Sequence, residues 1–211
     1  MVISVTVIIV MATSVISFIG FSNQNLINEL IFYPPAISER KQWYRFFTCG
    51  LIHADIAHLA FNMISFYYFG RFVESFFKSY FDAGALLYIV LYVSALAICL
   101  LPTYMKQKDN YQYRSLGASG AVSAIVFAGI FLSPLSGIRI FFIPIDIPGF
   151  VFGPLYLIIS AYLSKRGAGN INHSAHFWGA LYGIAFLIAT SFALSKYDPV
   201  TTFIEQVKSY F

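Results

Sequence analysis

The chain has 211 residues, of which 59% are hydrophobic and 10% charged, with a mean hydropathy of +0.74. A soluble domain of this length cannot bury that much apolar surface, so composition excludes a water-soluble globular protein and predicts a polytopic membrane protein. The net charge of +4 sits in loops between apolar runs, with no polybasic block or aromatic RNA-binding motif, which argues against a nucleic-acid partner.

Apolar runs of about 20 residues cross a bilayer as helices, and six are predicted, at 2–21, 56–73, 83–101, 117–133, 149–164 and 174–195. The expectation is an all-α, six-transmembrane-helix bundle that fills residues 1–211 as one domain, with no separate soluble domain. The first run starts at Val2 without a basic leader or a small-residue cleavage site, and reads as a retained helix. Residues 22–55 are too many for a turn; Pro34-Pro35, charges and the aromatics Trp43, Tyr44, Phe46 and Phe47 predict a segment folded at the membrane interface. Cys49 and Cys99, one before the second run and one deep in the third, predict two free thiols. Pro102 is expected to end helix three, Pro134 and Gly137 to end helix four, and Pro148-Gly149 to start helix five, with Lys165 to Asn172 a polar loop.

With six spans joined in sequence, helices two, four and six run the same way, and their N-terminal ends meet at one membrane face. Every histidine falls there: His53 and His58 at the start of helix two, His173 and His176 at the start of helix six. Ser119, in the turn Gly117-Ala118-Ser119-Gly120, is placed about one turn into helix four. A nucleophile and a base at matched depth point to hydrolysis, and three helix N-termini would favour the negative charge that develops. Gly120, Ala124 and Ala128 on helix four, and Ala175, Gly179 and Gly183 on helix six, form small-residue stripes spaced by four that let two backbones approach closely. His58 and Asn62, four apart, share one helix face and could both donate to one oxygen, as an oxyanion hole does. His53 is read as a structural hydrogen-bonding residue.

The set His53-x4-His58-x3-Asn62, Gly117-Ala118-Ser119-Gly120 and Ala175-His176-x2-Gly179-x3-Gly183, in that order on helices two, four and six, resembles the rhomboid intramembrane serine proteases over nearly the whole chain. Trp43-Tyr44-Arg45 and Arg71-x2-Glu74 resemble that family's structured first loop and its supporting contacts. The resemblance implies Ser119 as nucleophile and His176 as general base, with His58, Asn62 and the Ser119 backbone amide as oxyanion donors. His53, Gly117, Gly120, Gly179 and Gly183 are implied as supporting residues. It further implies transmembrane protein substrates, the lipid bilayer as surroundings, a bacterial cytoplasmic membrane as location, and neither cofactor nor metal.

Two features depart from the family pattern. Many bacterial members carry an aromatic residue four positions after the nucleophile, packed on the histidine ring, where this chain has Ser123; Phe127, Phe177 and Trp178 are the candidate replacements. With the family's cytoplasmic N-terminus, the inner segments hold five Lys or Arg and the outer ones eight, against the positive-inside rule. Two other readings stand beside the protease. Four histidines near Asp55 could bind a metal in a transporter or metalloenzyme, although the His-Glu-x-x-His string is absent and Gly117 to Gly120 would go unexplained. An inactive relative that binds transmembrane helices is the other. Pro148-Gly149 marks helix five as a candidate lateral gate.

Overall fold

A computed structural model describes residues 4–139, 145–166 and 171–211. In the first helix polarity is inverted relative to a water-soluble fold. α1 (Val5–Phe21) buries Thr6, Thr13, Ser17 and Gly20 and turns Ile8, Met11, Val15, Phe18 and Ile19 outward. Those buried positions recur at helical spacing, so one narrow small and polar face packs on protein while the apolar remainder faces what, for a membrane chain, is lipid.

Residues 24–51 fold into three short helices, α2 (Gln24–Leu30), α3 (Pro34–Arg40) and α4 (Arg45–Thr48), followed by a 3-10 turn at Cys49–Leu51. Arg45 is almost fully buried and donates to the carbonyls of Asn28 (2.9 Å) and Ile31 (2.8 Å) and to the Gln42 side chain. One guanidinium thus satisfies the free carbonyls at the end of α2. Phe32 pairs with Ser115 through reciprocal backbone hydrogen bonds, which tie this segment to the approach to Ser119.

α5 (Ile56–Tyr80) follows after a bend of 100° from Arg45–Leu51. Its Glu74 carboxylate accepts from the backbone amides of Val5 and Thr6 and from both the Ser4 and Thr6 hydroxyls, so the acid sits at the positive end of α1. α6 (Gly84–Ile98) and α7 (Leu101–Gln107) form one apolar stretch of 24 residues, Gly84–Gln107. Pro102 therefore does not end helix three: it lies in the first turn of α7, where the missing N–H has no helical partner to lose.

α8 (Ser119–Leu132) is central, packed by α5, α6, α9 (Gly149–Arg166), α10 (His173–Leu194) and α11 (Pro199–Lys208). Eleven of its 14 residues are buried. Between α8 and α9 the strands β1 (Gly137–Arg139) and β2 (Asp146–Pro148) pair antiparallel, so the fold is mostly helical with one short hairpin instead of all-α. Asp146 and Arg139, directly opposite in that register, make a bidentate ion pair. Part of the expected loop at Lys165 to Asn172, residues 167–170, lies outside the described residues; Lys165 and Arg166 still belong to α9.

Each predicted apolar run is occupied by a helix, but among the described residues two helices, Gly84–Gln107 and His173–Leu194, are long and apolar enough to cross a membrane by themselves. Arg45–Leu51 together with Ile56–Tyr80 would make a third, and Val5–Phe21 and Ser119–Leu132 are shorter apolar helices.

Candidate active site

Ser119 is the first residue of α8, one turn earlier than expected, because the positive φ of Gly117 (108°) swings the chain into the helix. An L side chain is strained at that angle, and a Cβ there would lie 2.7 Å from His58 Cε1. The turn is held from both sides. The Gly117 amide donates to the Cys49 carbonyl (2.9 Å), and the Ala118 amide donates to His53 Nε2 over 3.4 Å.

His53, 1% exposed, connects the turn to α1. Ser17 gives its hydroxyl proton to the Leu51 carbonyl (2.9 Å), so at the 3.0 Å contact with His53 Nδ1 it is the ring that donates. That fixes the Nδ1–H tautomer and leaves Nε2 as the acceptor that the Ala118 amide requires. The structural role expected for His53 thus acquires definite partners.

Opposite the turn, α10 opens with Asn172, whose side-chain oxygen accepts from the Ala175 amide (3.1 Å) and the Thr103 hydroxyl (3.1 Å). This cap sets the first turn of α10, and His176 Nε2 lies 2.7 Å from Ser119 Oγ. The short distance is backed by backbone. A Cβ on Gly179 would fall 2.0 Å from the Gly120 carbonyl oxygen, and one on Gly183 would fall 2.0 Å from that of Ala124. The two small-residue stripes meet in parallel, each α10 glycine lying under an α8 carbonyl, a spacing that only an absent side chain allows.

The four histidines converge as expected: His53 and His58 meet edge to face at 4.9 Å, and His173 and His176 at 5.9 Å. His58 opens α5, its amide capped by Asp55 (2.7 Å), and its ring faces Gly117, two residues before Ser119. Asn62, 2% exposed, spends one amide hydrogen on the His58 carbonyl (2.9 Å), which leaves one for another acceptor. Among the described residues no three His, Cys, Asp or Glu side chains form a metal-ligand set.

The aromatic neighbour of His176 was absent from the candidates drawn from sequence. Tyr156 of α9 lies parallel to it, with ring centroids 6.5 Å apart and planes 23° apart, and its hydroxyl meets Ser123 Oγ at 3.0 Å. Phe127 packs on Tyr156 (5.3 Å), one step removed from the histidine, while Trp178 is exposed and packs on Phe177. Ser17 and Asn172 were also missed. Ser17 could have been found from the spacing of Thr6, Thr13, Ser17 and Gly20, one polar stripe on an apolar helix; nothing in sequence singles out Tyr156.

Comparison with known proteins supplies the family. The model of the Rhomboid domain matches residues 40–192, a span that holds all four histidines, Asn62 and Ser119. The chain is 36% identical over 144 residues to "RHOMBOID-like protein 12, mitochondrial" of Arabidopsis thaliana, covering 63% of this chain and 42% of that protein. It is 28% identical over 166 residues to "Rhomboid-like protein 15" of the same plant, covering 75% of this chain and 39% of the relative. It therefore spans about two fifths of the length of the curated relatives it matches. The apolar helices, the converging serine and histidines, and the domain match agree: this chain belongs to the rhomboid family of membrane proteins.

Proposed function

We propose that this chain is an intramembrane serine endopeptidase that cuts transmembrane proteins near one membrane face with a Ser119–His176 dyad. The observation that carries the reading is the 2.7 Å contact between His176 Nε2 and Ser119 Oγ at the N-terminus of α8. As Oγ attacks a peptide carbonyl, His176 Nε2 takes its proton. The oxyanion is stabilised by the Ser119 backbone amide, by His58 and by the remaining amide hydrogen of Asn62, with the positive ends of α5, α8 and α10 adding to the field. His176 passes the proton to the leaving amine, and water, deprotonated by the same ring, hydrolyses the acyl-enzyme to free acid and serine. Substrate is a transmembrane segment whose helix unwinds near this face, since a peptide bond inside an intact helix is protected by its own hydrogen bonds.

The same reading makes residues 1–211 one membrane domain with six spans: α1, α5, α6 with α7, α8, α9 and α10. Its home is a bacterial cytoplasmic membrane or, as one relative's name suggests, a mitochondrial one.

The test is reconstitution of the purified protein in liposomes with a tagged transmembrane substrate. Ser119→Ala and His176→Ala abolish cleavage and fluorophosphonate labelling, while Asn62→Ala lowers turnover by ~10²–10³ with Ser119 intact. Cleavage that persists in Ser119→Ala, or that a chelator stops and zinc restores, overturns the serine mechanism. Wild type that captures the substrate helix without cutting it identifies an inactive helix-binding member.

A further inference from the structure

Among the described residues, the aromatic ring parallel to His176 is borne by neither α8 nor α10 but by α9, a helix with few buried residues. Among the described residues of α9 only Gly149, Gly153 and Ser160 are buried, and Pro154 interrupts its hydrogen-bond ladder. Its outer face carries Val151, Leu155, Ile158, Ile159 and Tyr162, all exposed. Tyr156 is the point at which this helix reaches the candidate dyad. Its ring lies 6.5 Å from that of His176, and Phe127 and Phe152 support it at 5.3 and 5.8 Å. Its hydroxyl is fixed by Ser123, one helical turn after Ser119.

Resting on the reading of Ser119 and His176 as the reacting pair, we infer that Tyr156 is a positioning residue that holds the His176 imidazole in line with Ser119, so that the dyad is aligned only while α9 is docked. Three observations make the arrangement directional. Offset rings at this separation attract weakly, enough to bias one χ2 orientation of a ring without fixing it alone. The Tyr156–Ser123 hydrogen bond sets the depth of the tyrosine against α8 for as long as α9 is docked. Ser123, buried to 6% exposure, has no room for an aromatic side chain of its own while Tyr156 is present. Outward displacement of α9 withdraws the ring and breaks the Ser123 contact in one movement. A substrate helix that entered beside α9 would therefore meet a disordered histidine until α9 closed again, which makes hydrolysis conditional on closure.

In the reconstituted protein, Tyr156→Leu lowers kcat about tenfold or more with KM within twofold. Tyr156→Phe, which keeps the ring and loses only the Ser123 bond, lies between that variant and wild type. The double variant Tyr156→Leu with Ser123→Phe, which returns a ring from α8, recovers most of the lost kcat. Histidine-selective 15N NMR reads the same alignment without turnover: the His176 ring resonances of Tyr156→Leu shift and broaden, while those of Ser119→Ala stay sharp. Unchanged His176 resonances in folded Tyr156→Leu overturn the proposal, as does a kcat loss that tracks thermal destabilisation with no recovery in the double variant. Wild type that neither cleaves nor labels would instead count against the protease reading, and the NMR comparison would still decide the role of Tyr156.

Discussion

The two halves of the candidate site are built to different tolerances. Along the α8–α10 seam the contact is backbone to backbone, Gly179 and Gly183 lying under the carbonyls of Gly120 and Ala124, and eleven of the 14 residues of α8 are buried. On the α9 side the contact is made by side chains, chiefly Tyr156, from a helix with three buried residues and a proline inside it. Backbone contacts cannot adjust by rotamer changes; side-chain contacts can. The serine–histidine distance is thus assigned to the rigid half, and the orientation of the histidine ring to the adaptable one.

The sharpest way to break this contrast is to add a methyl group to each half. Gly179→Ala or Gly183→Ala drives a Cβ to 2.0 Å from a carbonyl oxygen, which no side-chain movement relieves. Each should destabilise the fold by ~3 kcal/mol or more and eliminate fluorophosphonate labelling, as read by thermal unfolding in detergent and by gel. If either variant retains wild-type labelling, the seam is not the rigid half.

Next in size is the support of the serine turn. Ser17→Ala leaves the His53 Nδ1–H without its buried acceptor, at a cost of about 1–3 kcal/mol. Labelling of Ser119 should slow with it, although Ser17 belongs to a different helix from either member of the dyad. Gly153→Ala is the counterpart of the seam substitution. Its Cβ would meet Phe127 at 3.6 Å and Ile130 at 3.8 Å, ordinary van der Waals contact, and the helix gains up to ~1 kcal/mol of propensity. Unchanged or slightly raised stability is expected; a loss comparable to that of the seam variants would erase the difference between the halves.

The smallest effect concerns α11, which lies on α8 through Phe203 with Phe131 (4.6 Å) and is followed by Tyr210, packed on Phe150 at the start of α9 (5.2 Å). Asp198 caps α11 by accepting from the amides of Val200 and Thr201 and from the Thr201 hydroxyl, and those bonds hold its pKa below the usual value of 3.8. A lowered carboxylate pKa stabilises above the unfolded value, so the cap is intact at neutral pH and is lost as pH falls below 3.8. Circular dichroism should show a small helicity loss over that range in wild type. Asp198→Asn, which can still accept at the N-cap, should flatten it.

The sequence was informative wherever a constraint is local or periodic. His53, His58, Ser119, His173 and His176 could be placed at one face because three like-directed helices put them there, and the Gly120 and Gly179 stripes could be paired because a spacing of four has one structural meaning in a membrane. Pro102 misled because a proline two residues into a helix reads like one just after its end. The hairpin around Arg139 and Asp146 carries no strong turn signal in its described residues. Tyr156 was invisible for a deeper reason. A helix apolar on every side has no periodicity to announce which residue faces inward, and the need for a ring on His176 arises only after Ser123 is known to leave its own position unfilled.

The seam also works as a keyed joint. With α10 glycines four residues apart under α8 carbonyls four residues apart, the nearest shift that re-seats Gly179 is one helical turn, ~6 Å along the axis. That shift would push the Ala175 methyl into the gap beneath the Gly120 carbonyl that now accepts only Gly179, and would carry His176 away from Ser119 toward Ser123, whose hydroxyl is taken by Tyr156. Two glycines preceded by an alanine therefore encode a reading frame between helices, one that rejects the adjacent serine as a partner before any chemistry begins.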